Sequence, residues 1–274
     1  MTSTSIYAEY NALQTSLQYV RSADEFRLAI MRLNEFLSSG QRDEIYPIFH
    51  PRLKVPVYLR RGTSDFQSFL QIFVGLEYSG CIRFVPNNII DLGSYVGLSA
   101  VYFANRFPDA KIVCVEPSSD NYEMLRLNTR AYPNIELIHA GVWSHNAKLK
   151  IVAKDEGDWA TTVSESATYD KDTIDAITIS DIVDLYKLES IDFLKVDIEG
   201  SEREIFSCNT DTWIELVKAV ACETHDRFLD GCTAAYEQAF QSRDFDSFQS
   251  GEFRTFVKTE FNGAVVPDPQ WFVV

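Results

Sequence analysis

The sequence predicts an α/β fold, a doubly wound and mostly parallel sheet that follows a helical N-terminal extension. Three observations predict it. From Asn87 onward, apolar runs of strand length alternate with segments of helical periodicity, the pattern of a parallel sheet covered on both faces. Before that point the apolar residues recur at helical spacing, as in "ADEFRLAIMRLNEFL". A turn carrying two glycines, "DLGSYVG", joins the first strand of the alternating region to its first helix, where open sheets of this kind bind ligands.

The elements follow in order. Phe26, Ala29, Ile30, Leu33, Phe36 and Leu37 mark one face of the first helix, with Gly40 as its stop. "RLKVPVYLRRG" reads as short extended chain broken by Pro56, and "SDFQSFLQIFVGLEYSG" as a helix capped by Ser64 or Asp65 and ended at Gly80. "NNIIDLG" is a strand, followed by a helix through Ala104. "AKIVCVEP" is a second strand closed by Pro117, and "SSDNYEMLRLNTRAY" a helix capped by Ser118 or Ser119. "NIELIHAGVW" is a third strand, and "AKLKIVA" alternates like an edge or hairpin strand. The polar stretch from Ala153 to Thr173 reads as a solvated loop or as a lid over a site. "SIDFLKVDIEG" and "ELVKAVACETH" are strands on either side of a helical "SEREIFS". A helix "CTAAYEQAFQ" and an antiparallel hairpin, "FDSFQ" with "FRTFVKTEF", close the chain.

With 274 residues the chain has room for one substantial core and an elaboration. Twenty-five Lys and Arg stand against 40 Asp and Glu, a formal charge of −15 that repels a phosphate backbone and argues against a nucleic-acid partner. The five cysteines are odd in number and form no CxxC pair, which predicts neither a disulfide framework nor a zinc cluster. "MTSTSIYAEYNALQ" lacks a basic region followed by an apolar one, and no apolar run approaches the length of a membrane span. The expectation is a cytoplasmic protein with no membrane partner; the sequence does not give its oligomeric state.

The turn after the first strand narrows the ligand. A dinucleotide site uses G-x-G-x-x-G and holds an anionic pyrophosphate. Here the pattern is D-x-G-x-x-x-G, and Asp91 puts a negative charge where a pyrophosphate would be repelled. The pattern suits a ligand with an ammonium group, such as the methionine part of S-adenosylmethionine, with backbone N–H groups around Ser94 and Tyr95 for its carboxylate. Gly93 permits a sharp turn and Gly97 a close approach of the helix. Glu116, ending the next strand before Pro117, is placed to accept both ribose hydroxyls of an adenosine. A nicotinamide cofactor would use the same acid, but the chain has no Tyr-x-x-x-Lys pair for short-chain hydride transfer.

"IIDLGSYVGLSAVYFA", "IVCVEPSSDNYEMLRLN", "AGVWSHNAKLKI" and "IDFLKVDIEGSEREIF" together resemble FkbM-type, class I S-adenosylmethionine-dependent methyltransferases, and "KVDIEGSE" is the most specific segment. The resemblance covers about Leu59 to Glu223, since "LRRGTSD" and "FVGLEY" also look like its upstream elements. It implies a Rossmann-like sheet of seven strands ending in an antiparallel pair, and O-methylation of hydroxyls on sugars or natural products. It divides the chain into a helical extension, residues 1–58, and a methyltransferase domain, residues 59–274. It also implies that Asp91, Gly93 and Gly97 form the methionine loop, that Glu116 is the ribose acid, and that Ala140, Gly141 and Val142 flank the adenine. Trp143 is then a candidate for stacking on adenine or for core packing.

An alcohol acceptor carries a proton of high pKa, so a general base near the methyl group assists. His225, in "CETH", is the first choice because histidine titrates near neutrality, and Glu199 or Asp197, in "KVDIEG", is the second. Asp197, Glu199, Glu223 and His225 offer the alternative of a hard divalent cation, which is not favoured over hydrogen-bond anchoring. Lys195 lies within the strand, to snorkel or to pair with an acid, and His50 and His139 read as structural. Trp159 either walls the acceptor pocket or packs. Besides the O-methyltransferase, two readings stay open from sequence: a non-catalytic S-adenosylmethionine-binding module, and a nicotinamide-dependent enzyme.

Overall fold

A computed structural model describes residues 8–14, 23–40, 44–49, 53–153, 161–166, 173–263 and 265–267. The chain divides into two compact units, Met1–Gly75 with Pro269–Val274, and Leu76–Asp268.

In the first unit the amphipathic helix Ala23–Ser38 buries Leu33, Phe36 and Leu37. Two short strands, Ile45–Ile48 and Val57–Arg60, pair antiparallel. The rings of Tyr10, Phe36 and Tyr46 pack together, with centroids of Phe36 and Tyr46 5.2 Å apart. Arg60 grips the fully buried Asp65 at 2.8 Å, fixing the turn "RRGTSD". The single helix expected to run to Gly80 is shorter. It is α-helical over Asp65–Phe69 and widens to a π-turn over Leu70–Val74, where the Gly75 amide reaches back five residues to Leu70. Leu76, at a φ of 55°, ends it, and Gly80 sits in a separate 3₁₀ turn.

The second unit carries the alternating region. Its elements are β1 (Asn88–Leu92), α1 (Leu98–Arg106), β2 (Lys111–Glu116), α2 (Ser119–Thr129) and β3 (Ile135–His139). Then come β4 (Gly141–Val142), β5 (Lys148–Ala153), β6 (Thr161–Glu165), β7 (Thr173–Ile177) and α3 (Ile179–Tyr186). The last are β8 (Phe193–Val196), α4 (Glu202–Ser207), β9 (Ala219–Cys222), α5 (Cys232–Phe240), β10 (Phe245–Ser250) and β11 (Phe253–Lys258). Seven strands form one sheet in the order β10-β11-β9-β8-β1-β2-β3. The five from β9 to β3 are parallel, and β11 runs antiparallel to both β9 and β10. This is the doubly wound, Rossmann-like sheet with a closing antiparallel pair that the sequence leads one to expect.

Side chains alternate across the sheet. Ile90, Leu92, Val113, Val115, Leu194, Val196, Val220 and Cys222 share a core with residues of α3, α4 and α5. The alternate positions include Asp91 and Lys195, which are register partners on β1 and β8. Two charges thus lie side by side inside the sheet, on the face that meets α1.

Helix α3 has no counterpart among the elements read from sequence. Its signal is a capping box: the Thr178 hydroxyl accepts from the Asp181 amide at 3.0 Å, and the Asp181 carboxylate from the Thr178 amide at 3.1 Å. The polar stretch read as loop or lid contains strand β6, which pairs with β5 in a second sheet of order β4-β7-β5-β6. Its remaining residues 154–160 and 167–172 lie outside the described residues, as do Trp159 and His50.

Candidate active site

The loop between β1 and α1 takes its shape from main-chain crowding. Gly93 has a φ of 76°, and a Cβ there would lie 1.7 Å from the carbonyl oxygen of Asp197, just past β8. Only glycine lets these two loops touch. Gly97, at a φ of 84°, caps α1, and a Cβ would meet the Leu125 side chain at 2.7 Å and its Cα at 3.3 Å. The second glycine therefore serves the packing of α1 on α2. Ser94 donates its hydroxyl to the Asp91 carbonyl at 2.8 Å, and the amides of Gly93 and Ser94 both reach Val115 at 3.0 Å.

Asp91 is fully buried. Ser99, on α1, donates to its Oδ2 at 2.5 Å. Its Oδ1 lies 3.2 Å from the Lys195 ammonium, an ion pair inside the sheet. The carboxylate is thus held inward by the sheet rather than offered bare to the loop. Lys195 also donates to the carbonyls of Gly93 at 2.6 Å and Leu92 at 3.4 Å, and lies 3.5 Å from Asp197. Burial alone would lower its pKa, but Asp91 and Asp197 outweigh that and raise it. One buried lysine thereby links the β1 acid, the glycine loop and the loop after β8.

Glu116 ends β2 and is nearly buried. It accepts from the amides of Tyr95 and Ser118, each at 2.9 Å, and from Asn121 at 3.4 Å. Burial pushes its carboxyl up to about 7, against the pull of those donors. Pro117 follows, its carbonyl 3.1 Å from Nε2 of His139, whose ring stacks on Tyr122. Ala140 and Val142 are buried in the core, and the bare Gly141 between them leaves room for Leu149. The buried indole N–H of Trp143 has no hydrogen-bond partner. Trp143 lines a cavity of about 260 Å³ with Ser180 of α3, Ile205 of α4 and Trp213 beyond it; none of the carboxylates described next lines this cavity.

Those carboxylates converge where β8 and β9 end, as adjacent parallel strands require. His225 is buried, with Nδ1 bonded to Oε1 of Glu202 at 2.9 Å. Its Nε2 faces Asp197 and Glu199 at 3.6 Å each and Glu223 at 3.5 Å. Glu202, fully buried at the start of α4, accepts from the amides of Ile198 at 3.1 Å and Gly200 at 2.9 Å and so is itself fixed. Burial would push the imidazole down, but the bonds to Glu202 and Glu223 and the charges of Glu202 and Asp197 prevail and push it up to about 11. At neutral pH the ring therefore carries both protons, and a base role requires one to leave first. Glu199, at a φ of 53°, is pushed up to about 8, chiefly by burial. Glu223 is raised for the same reason, and Glu77 reaches about 7 through burial and the charges of Asp197, Glu223 and Glu252. Asp197 and Glu223 stay partly exposed and face outward.

The sequence-predicted residues thus fall into two groups, one at the ends of β1 to β4 and one at the ends of β8 and β9, joined by Gly93 and Lys195. Sequence reasoning assigned no role to Glu202, Ser99 or Glu77. Glu202 lies in the quoted "KVDIEGSE" and in sequence is an ordinary acid in the first turn of a helix, so no local signal marks it. Among the described residues no helix is long and apolar enough to cross a membrane.

A family model described as "Methyltransferase FkbM domain" matches residues 91–259. The chain is 26% identical over 197 residues to methyltransferase sdnD of Sordaria araneosa, covering 59% of this chain and 75% of that protein. It is 24% identical over 211 residues to the AMB antimetabolite synthetase AmbE of Pseudomonas aeruginosa, a match to 62% of this chain but only 10% of that protein's length. Among solved structures, an O-methyltransferase from Bacillus cereus in complex with SAH gives a TM-score of 0.41 at 14% identity, covering 92% of this chain and 100% of that one. Aeropyrum pernix fibrillarin with bound S-adenosyl-L-methionine gives 0.36 at 12% identity, over 64% of this chain and 66% of that one.

Proposed function

Since the chain belongs to the FkbM methyltransferase domain family, and is thereby an S-adenosylmethionine-dependent methyltransferase, we propose that it O-methylates a hydroxyl of a small molecule, a sugar or other natural product. The observation that carries this reading is the convergence of Asp197, Glu199, Glu223 and His225 at the sheet edge next to the glycine loop. The similarity to an antimetabolite synthetase supports a small-molecule setting. The family match lies within residues 59–274, which we take as the catalytic domain, with residues 1–58 as its extension.

Methyl transfer is an in-line displacement: the acceptor oxygen, methyl carbon and sulfur must be collinear, so positioning supplies much of the rate. In this reading Glu116 releases the Tyr95 amide to the cofactor's carboxylate and accepts the ribose hydroxyls, while the Ser94 amide, held by the Val115 carbonyl, keeps the loop in shape. Ala140, Gly141 and Val142 flank the adenine, beside Pro117. Asp91 sets the electrostatics of the methionine end through Lys195 and Ser99. These groups bind; a strong pairing with the sulfonium would stabilise a charge that disappears during transfer. On the acceptor side Asp197 and Glu223 reach the hydroxyl, while Glu199 and His225 orient it and take part in removing its proton.

The test is release of S-adenosylhomocysteine on a panel of hydroxylated and glycosylated small molecules, with amines, carboxylates and RNA as comparators. Turnover confined to the comparators would sink the hydroxyl reading. Cofactor binding with no turnover on any acceptor would favour the non-catalytic module instead.

A further inference from the structure

We propose that Asp197, Glu223 and His225, with Glu199 beside them, form a binding site for one hard divalent cation, Mg²⁺ or Mn²⁺. The inference rests on the reading of this sheet edge as the acceptor side of the site. Asp197, Glu223 and His225 each offer a ligand atom, and the three atoms lie within 4.8 Å of one another. That is close to the span of about 4.2 Å between opposite ligands of an ion that holds each at about 2.1 Å.

The imidazole is oriented as a ligand would be, and binding the ion displaces its Nε2 proton to solvent. Its Nδ1 is engaged by Glu202 at 2.9 Å, which turns Nε2 into the cluster. Glu202 is locked in turn by two backbone amides, the outer arrangement that fixes the ring of a metal-binding histidine.

A separate observation concerns Glu199. Among the described residues its Oε2 is buried without a hydrogen bond, on a side chain 9% exposed, 3.6 Å from Nε2 in the cluster and 3.9 Å from the Arg227 guanidinium. A buried carboxylate oxygen lacking a hydrogen-bond donor is costly, and an ion held beside it by the other three, with the water it carries, offsets that cost.

The donor set selects the ion. Three carboxylates and one imidazole, without a thiolate, suit Mg²⁺ or Mn²⁺ more than zinc or copper. Asp197 and Glu223 have side chains 29% and 24% exposed, so the open coordination positions face outward, toward the acceptor. Such an ion takes oxygens, which makes the favoured acceptor one that presents a second hydroxyl or carbonyl beside the methylated oxygen.

Mn²⁺ titration of the full chain, followed by electron paramagnetic resonance, tests this. It is done without S-adenosylmethionine or acceptor, so its failure leaves the methyl-transfer reading untouched. One saturable Mn²⁺ per chain is expected, with affinity lowered about 10–100-fold in Glu223→Gln and in Glu199→Gln. Glu123→Gln, at a side chain 66% exposed on α2, should bind like the parent. Circular dichroism checks that each variant folds; should Glu199→Gln fail, the partly exposed Glu223→Gln decides alone. No saturable binding at about millimolar Mn²⁺, or equal affinity in the parent and Glu223→Gln, overturns the site.

Discussion

The amide of Tyr95 donates to Oε2 of Glu116 at 2.9 Å, tying the loop after β1 to the end of β2. The carboxylate that the adenosyl reading assigns to the ribose is thus already engaged by main chain. It is also buried enough that its pKa rises from 4.5 to about 7.

That shift has a consequence for stability. Between about pH 4.5 and 7 the folded state binds more protons at Glu116 than the unfolded chain does. Stability from this group is therefore complete below the unfolded value and is lost as pH rises through 7, by on the order of 3 kcal/mol. Urea unfolding from pH 4.5 to 8 should show that loss in the parent and a flatter profile in Glu116→Gln. Parallel profiles would place the cause elsewhere.

Cofactor affinity should fall in Glu116→Ala, which loses charge-assisted hydrogen bonds of roughly 1.5–3 kcal/mol. Calorimetry with S-adenosylhomocysteine measures it, and unchanged affinity would mean that the ribose lies elsewhere.

Gly93→Ala should fail to fold, or lose well over 3 kcal/mol, because it combines a left-handed φ with a Cβ driven into the Asp197 carbonyl. Gly251→Ala is the comparison. At a φ of 59° with no atom within 4 Å of a built Cβ, it should cost only about 1–2 kcal/mol. Denaturant midpoints of the two variants decide, and similar losses would refute the role of the backbone contact.

Lys195→Met leaves Asp91 fully buried without its cation, a loss of about 3–5 kcal/mol. Adding Asp91→Asn should recover part of it, since the buried charge is then gone. A double variant less stable than Lys195→Met would show that the ion pair is not the reason for the cost.

His225→Ala should lower turnover by roughly 10²–10⁴ while S-adenosylhomocysteine affinity stays nearly unchanged. Glu202→Gln, which keeps the shape but removes the charge behind Nδ1, should act in the same direction. Undiminished turnover in His225→Ala would move proton removal to Asp197 or Glu199.

The alternation of strand and helix was legible because each strand is an unbroken apolar run. Both glycines were legible because two bare positions in one strand-to-helix turn signal a close backbone approach. What the glycines touch was not. That Gly93 faces the carbonyl of Asp197 depends on β8 being inserted beside β1, a pairing across more than a hundred residues that no local pattern encodes. The same holds for Asp91. A strand-end acid reads as a ligand group, but its partner is Lys195, visible only once the register is known. Helix α3 was missed because its capping box is followed by eight residues, too short a segment for periodicity to stand out. The charge state of His225 was out of reach for a related reason. It is set by three carboxylates from two loops and a fourth, Glu202, the nearest, which reads in sequence as an ordinary helix-start acid.

The contact of Gly93 with Asp197 joins two loops through peptide units rather than side chains. In the proposed reading, the spacing between the segment that would cradle the methyl donor and the one that would meet the acceptor is then inherited with the backbone. Substitutions at the outward positions around Asp197 and Glu223 can change which molecule is accepted without altering the length of the jump the carbon makes. A scaffold of this kind can be re-targeted by a few exchanges at its rim, and descendants with unrelated acceptors would keep the same glycine.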